Sequence, residues 1–219
     1  MLIQPSADHT YTWANFFLAD IRRRFYWVFD LEATGIDYTS ERVIQIGGVA
    51  VETGRVVEDS AFTSFVRPDK PLPEKVQRLT GISQEDIDSA PNFSEVLALF
   101  LDSCQGRILV TQCGHEFDYP LLDAECQRHS LVLPDLPRLD TKAVFAYLHP
   151  DVDATFSTDY LVNYYGIDRG GLKRHDALGD ALLIARVWCA ELEEARRMGV
   201  DTISVVEPIR VHRFVLPPL

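Results

Sequence analysis

The pattern of apolar and polar positions becomes clear at Phe25, where Phe25-Tyr26-Trp27-Val28-Phe29 continues through Asp30-Leu31-Glu32-Ala33-Thr34 and stops at Gly35. Aromatic and β-branched residues ending at a glycine predict a strand. Two more strands follow, Arg42 to Val51 and Arg55 to Val66, and Glu52-Thr53-Gly54 between them has the length and glycine of a hairpin turn. The three form an antiparallel unit, and Pro68, Pro71 and Pro73 punctuate its exit. Leu79 to Glu85 reads as a turn with Ser83 capping a short helix. Helical spacing returns from Phe93 to Leu101, a buried strand covers Arg107 to Gln112, and Glu116 to His129 is helical again. Leu139 to Tyr147 gives a short strand and helix, and Thr158 to Tyr165 and Asp176 to Met198 supply the last two helices. Strands that first meander and then alternate with helices predict a mixed α/β sheet with helices on its faces.

The flanks read differently. Tyr11 to Ile21 is compatible with an amphipathic helix whose basic end, Arg22-Arg23-Arg24, complements the helix dipole, which gives a helical extension over 1–24. The core spans 25–199. The tail, 200–219, is expected to dock on that core, because its Ile and Val residues would otherwise be exposed.

At 219 residues and 47% hydrophobic, the chain has enough apolar surface for one domain with a substantial core. It contains no apolar run long enough to span a bilayer and no basic-then-apolar secretory layout at its start, so the expected location is cytoplasmic, with no membrane contact. Cys104, Cys113, Cys126 and Cys189 lack any C-x-x-C spacing, which argues for buried reduced thiols over a zinc site or a disulfide framework. A formal net charge of -12 argues against a tight duplex binder, whose affinity comes from basic residues neutralising phosphates. Any nucleic acid is therefore held locally.

Strand side chains alternate, so Asp30 and Glu32 share one face while Phe29 and Leu31 share the other. Two carboxylates that close together resist joint ionisation unless a dication or a proton lies between them. Downstream, His175 and Asp180 are five residues apart, roughly 140° around a regular helix, so they converge only if His175 precedes the helix and Asp180 occupies its second turn. Asp118 sits at a helix start, where a carboxylate is favoured by the dipole. His129 and His149 have no such context.

Asp30-Leu31-Glu32-Ala33-Thr34-Gly35, the Phe117-Asp118 pair and His175-Asp176-Ala177-Leu178-Gly179-Asp180-Ala181 resemble, in order, the three motifs of the DnaQ-like (DEDDh) 3'-5' exonucleases. The resemblance covers Phe25 to about Leu192 and includes the spacers Val66-Arg67-Pro68, Leu79-Thr80-Gly81-Ile82, Ala90-Pro91-Asn92-Phe93 and Leu139-Asp140-Thr141, similar to landmarks of polymerase III epsilon-type proofreading domains. It implies a ribonuclease H-like fold with a five-stranded mixed sheet. It also implies two divalent ions, Mg²⁺ or Mn²⁺, held by Asp30, Glu32 and Asp180 with Asp118 completing the set. Hard oxygen ligands suit those ions, and four carboxylates carrying roughly -4 balance two dications. Histidine titrates near neutrality, and by the resemblance His175 takes the proton of the attacking water. Ala33, Thr34, Gly35 and Phe117 would hold the terminal nucleotide.

One segment departs from the family. Where relatives carry His-Asn-Ala-x-Phe-Asp, this chain has Cys113-Gly114-His115-Glu116-Phe117-Asp118, which removes an amide and brings bulk or charge beside the site. The expected activity is release of 5'-mononucleotides from single-stranded or frayed 3' ends, with DNA favoured over RNA, and Arg22 to Arg24, Lys173 and Arg174 near the phosphates. Two other readings stand beside it: an RNA-trimming enzyme, and a polymerase-associated subunit docking through the N-terminal helix or C-terminal tail.

Overall fold

The fold is that of a computed structural model, which describes residues 1–6 and 8–214. In chain order the elements are β1 (Leu2–Pro5), β2 (Thr10–Ala14), β3 (Phe16–Ala19), a 3-10 turn at Ile21–Arg23, β4 (Phe25–Ala33), β5 (Val43–Glu52), β6 (Arg55–Phe65), α1 (Glu74–Thr80), α2 (Gln84–Asp88) and α3 (Phe93–Cys104). There follow β7 (Ile108–Thr111), α4 (Asp118–Arg128), β8 (Arg138–Asp140), α5 (Thr141–Leu148), α6 (Thr158–Tyr164), α7 (Ala177–Arg197), β9 (Thr202–Val205) and β10 (Ile209–His212). Five strands form one sheet in the order β6-β5-β4-β7-β8. β5 runs antiparallel to β4 and β6, whereas β7 is parallel to β4 and β8 to β7. This is the mixed sheet the sequence predicted.

Alternation along β4 divides the core. Tyr26 and Val28 pack with Trp188 and Ile184 of α7 and Phe145 of α5. Trp27, Phe29 and Leu31 pack on the other face with Phe100 of α3 and Leu121 of α4. Burying each such side chain contributes roughly 1.5–3 kcal/mol. The row that begins with Tyr26 and Val28 continues as Asp30 and Glu32, so the acids emerge on the α7 face where the apolar row ends.

A glycine brings α7 to that row. Gly47 pairs with Asp30 across the sheet, and a Cβ on it would lie 2.2 Å from the Ala177 carbonyl carbon and the Leu178 nitrogen. The helix start crosses bare backbone there. On the next residue, Gly48, a Cβ would lie 2.6 Å from the Trp27 indole nitrogen, so neither position has room for a side chain.

The N-terminal extension is not the expected helix. Tyr11 to Ile21 forms β2, β3 and the 3-10 turn, and Asn15 and Asp20 take left-handed conformations (φ 53° and 56°) that interrupt any helical path. Tyr11 and Trp13 are buried in the core formed on the α7 face. The tail docks as expected, but as strands: β10 pairs antiparallel with β2, and β9 with β3. Ile203, Val205 and Val211 reach the same core. Val215 to Leu219, part of the predicted tail, lie outside the described residues. All four cysteines are unpaired, Cys104 and Cys126 buried and Cys113 and Cys189 half-buried. No described helix is long and apolar enough to cross a membrane.

Candidate active site

The start of α7 is fastened to the sheet by Gln45, the polar residue in the apolar β5 run, which pairs with Glu32. Its Nε2 donates to Asp176 Oδ2 (3.2 Å), and its Oε1 accepts from the Ala177 backbone N–H (3.1 Å). Asp176 caps the helix by accepting from the Gly179 N–H (2.9 Å). This clamp sets Asp180 opposite β4. Asp180 lies in the first turn of α7, one turn earlier than expected, because the helix begins at Ala177. His175 precedes the helix, as predicted, in a left-handed conformation (φ 56°) that costs a non-glycine residue on the order of 1 kcal/mol. Its backbone N–H donates to Asp180 Oδ2 at 2.8 Å. Ligand atoms of Glu32, His175 and Asp180 lie within 4.8 Å of one another.

Asp118 is the first residue of α4 and is buried. It accepts from the Thr111 hydroxyl at the end of β7 (3.1 Å). Gly114 explains the unusual second motif. A Cβ there would lie 2.3 Å from Thr111 Cγ2 and 2.8 Å from the Tyr119 ring, so the turn that delivers Asp118 has no space for one. His115 brings no charge beside the site, since burial pulls its pKa down to about 3. Glu116 is paired with the buried Lys142.

The acids are held against their preference. Burial first, and then the neighbouring Asp118, Asp180 and Glu32, push Asp30 well above the carboxylate range. Burial with Asp180 and Asp118 nearby raises Glu32 to about 8, and burial raises Asp118 to about 7 against the pull of Thr111. Asp180 is raised by burial and pulled back by Arg174, whose guanidinium is ion-paired with it. A cation is already in use at the cluster. An all-oxygen set of partly repelled carboxylates with an arginine standing among them fits hard divalent ions.

Asp30, Glu32, Ala33, Gly35, Phe117, His175 and Asp180 line a cavity of about 250 Å³. Thr34 does not line it. Strict alternation would place Thr34 beside Asp30 and Glu32, but a bulge between Glu32 and Ala33 turns it away. Its hydroxyl donates to Glu41 and its backbone N–H to the Arg42 carbonyl, and it is buried. Arg22 to Arg24 are also misplaced, because they precede the far end of β4, roughly 20 Å from Asp30 at the rise of a strand. Arg22 is paired there with Asp201. Lys173 gives its amine to the Thr80 carbonyl, whereas Arg174 does reach the site. Sequence reasoning missed Gln45 and Thr111. A lone glutamine inside an apolar strand was the available signal for the first.

A five-stranded sheet of this order with clustered acids on its central strand is a ribonuclease H-like arrangement. The chain belongs to the RNase T exonuclease family, which matches residues 27–188, and its resemblance to the DnaQ-like enzymes holds. Members of this class use divalent metal ions. Over 188 residues, 86% of the chain, it is 28% identical to the DNA polymerase III PolC-type protein of Caldanaerobacter subterraneus subsp. tengcongensis. It is also 28% identical over 183 residues to the PolC-type protein of Thermotoga maritima. The chain spans only 13% of the length of each. Among solved structures, the nuclease domain of 3'hExo, a DEDDh family member bound to rAMP, superimposes with a TM-score of 0.71 at 21% identity, covering 87% of this chain and all of that one. Escherichia coli exonuclease I in complex with a dT13 oligonucleotide gives 0.63 at 18% identity over 80% of this chain and 42% of that one.

Proposed function

We propose that this chain removes 5'-mononucleotides from the 3' ends of single-stranded or frayed DNA, with two Mg²⁺ or Mn²⁺ ions held by Asp30, Glu32, Asp118 and Asp180. The observation that carries the reading is the set of carboxylates gathered beside the end of β4, each pushed up by burial, with Asp30 and Glu32 pushed further by their acidic neighbours. Bound dications would supply polarisation of the attacking water and stabilisation of the leaving oxygen. The chain itself supplies the rest. Ala33 and Gly35 form the floor against which the terminal nucleotide lies, and Phe117 forms a wall. His175, its ring nitrogen near Glu32 and Asp180, takes the proton of the attacking water. The Asp180 carboxylate, accepting from the His175 N–H, keeps that loop residue in register with the acids.

DNA is favoured because the PolC-type relatives are named DNA polymerases. RNA trimming remains the second reading, since one structural neighbour is a 3'-exonuclease that recognises the 3' end of a histone mRNA stem-loop. Association with a polymerase is a third expectation, motivated by the length of those relatives. Labelled DNA and RNA strands of one sequence, incubated with Mg²⁺ or Mn²⁺, provide the test, beside an Asp30→Ala, Glu32→Ala variant. Stepwise shortening of DNA from its 3' end, abolished in the variant, is expected. Faster loss of RNA would move the substrate, and an inert wild-type protein would overturn the reading.

A further inference from the structure

A second cavity, about 460 Å³, adjoins the first and shares Asp30, Leu31, Ile36 and Phe117 with it. Its far wall is made of His9, Arg213 and Phe214, which lie outside the residues that match the exonuclease family. These residues are brought there by the pairing of β2 with β10. Both backbones of the wall are pinned. The Arg213 N–H donates to the His9 carbonyl (2.8 Å), and the Phe214 N–H donates to Glu116 Oε2 (2.8 Å), whose other oxygen is held by buried Lys142. Arg213 has no carboxylate partner among the described residues, and Phe214 is 42% exposed.

We infer that this wall is a binding site for the nucleotide immediately upstream of the terminal one, with Phe214 stacking on its base and Arg213 meeting its 5' phosphate. The inference rests on the exonuclease reading. If the terminal nucleotide occupies the smaller cavity beside Glu32 and His175, the phosphate to be cut lies at Asp30, the acid common to both. The residue on the other side of that phosphate then has the larger cavity available. An aromatic face accepts any base, and a free guanidinium supplies the positive charge that the acids lining this cavity, Asp30, Glu116 and Asp118, do not. A wall fixed before binding adds affinity with little ordering cost.

The test compares two substrates in the full chain: a single-stranded DNA oligonucleotide, and the p-nitrophenyl ester of thymidine 5'-monophosphate, which has no second nucleotide. Arg213→Ala and Phe214→Ala are each expected to lower the ratio of kcat/KM for the oligonucleotide to that for the ester about tenfold, chiefly through KM. Arg213→Lys and Phe214→Tyr should restore most of it. Thermal unfolding checks the fold, and where Phe214→Ala proves unstable, Phe214→Leu, which keeps apolar bulk without a ring, is read in its place. A wild-type ratio in both alanine variants overturns the subsite while leaving the nuclease standing. A wild-type protein inert toward both substrates overturns the nuclease reading itself, and the subsite with it.

Discussion

Two acidic groups of this fold, the half-buried Asp30 on β4 and the buried Asp140 on β8, are treated in opposite ways. Asp140, at the end of β8, accepts from the backbone N–H groups of Cys113, His115 and Lys142, and takes the Tyr11 hydroxyl at 3.4 Å. Burial raises its pKa, but Lys142 and those N–H groups all pull it back. Asp30 is raised by burial too, yet its next three influences, Asp118, Asp180 and Glu32, all push the same way. A charge that the scaffold satisfies holds the scaffold together. A charge that it leaves repelled awaits an external cation.

The same substitution at both places separates these roles most sharply. Asp30→Asn is expected to reduce exonuclease turnover by on the order of 10³-fold, while the metal-free protein melts no lower than wild type. Asp140→Asn strips three N–H groups of a charged acceptor and is expected to cost about 1.5–3 kcal/mol in urea unfolding. Equal loss of stability in the two variants would erase the distinction. Lys142→Met presses further on the satisfied cluster. It leaves Glu116 buried without its cation, an error worth about 3–5 kcal/mol, and the double variant with Glu116→Gln should recover much of that. No recovery in the double variant would mean that packing, not the pair, is what Lys142 contributes.

Much of this contrast was legible in the sequence, and the illegible parts have physical causes. Period-two alternation placed Asp30 and Glu32 on one face without any structure, and the angle between His175 and Asp180 forced the histidine off the helix. Thr34 was placed by the resemblance alone, and the bulge that turns it away has no signature in a strand of ordinary residues. The N-terminal segment was misread because Tyr11, Trp13, Phe16 and Phe17 satisfy a helical pattern as readily as a strand pattern when periodicity alone is used. Only β1 pairs with it locally; its other strand partners, β9 and β10, lie nearly 200 residues away, and such pairing leaves no local trace. Lys142 was invisible for the same reason, since a lysine at full burial is decided by Glu116, which is remote in sequence.

The repelled cluster also has a signature in pH. Glu32 is raised from 4.5 to about 8, so between those values the folded chain keeps a proton that the unfolded chain has released, and metal-free stability falls as pH rises through that window. Glu32→Gln removes the group. The variant and wild type should match at acidic pH, and the variant should then gain at most about 1.4 kcal/mol per pH unit up to about pH 8. Mg²⁺ should close the gap by stabilising wild type alone. Parallel stability curves in calorimetry would mean that Glu32 is not strained in the metal-free fold.

Arg174 gives the smallest effect and the finest distinction, because it is a cation that the fold itself places among the repelled acids. As a placeholder it competes with a dication for Asp180 and repels it from Glu32 and Asp30, whose pKa values it lowers. Arg174→Gln should then tighten Mn²⁺ binding about threefold, read as loss of the free-ion signal in electron paramagnetic resonance. Its side chain is one-third exposed, so solvent screening keeps the change modest. Weaker Mn²⁺ binding in the variant would reverse the assignment. Arg174 would then belong with Lys142, as a residue that holds a carboxylate in place, and the line between the satisfied and the repelled cluster would run through Asp180.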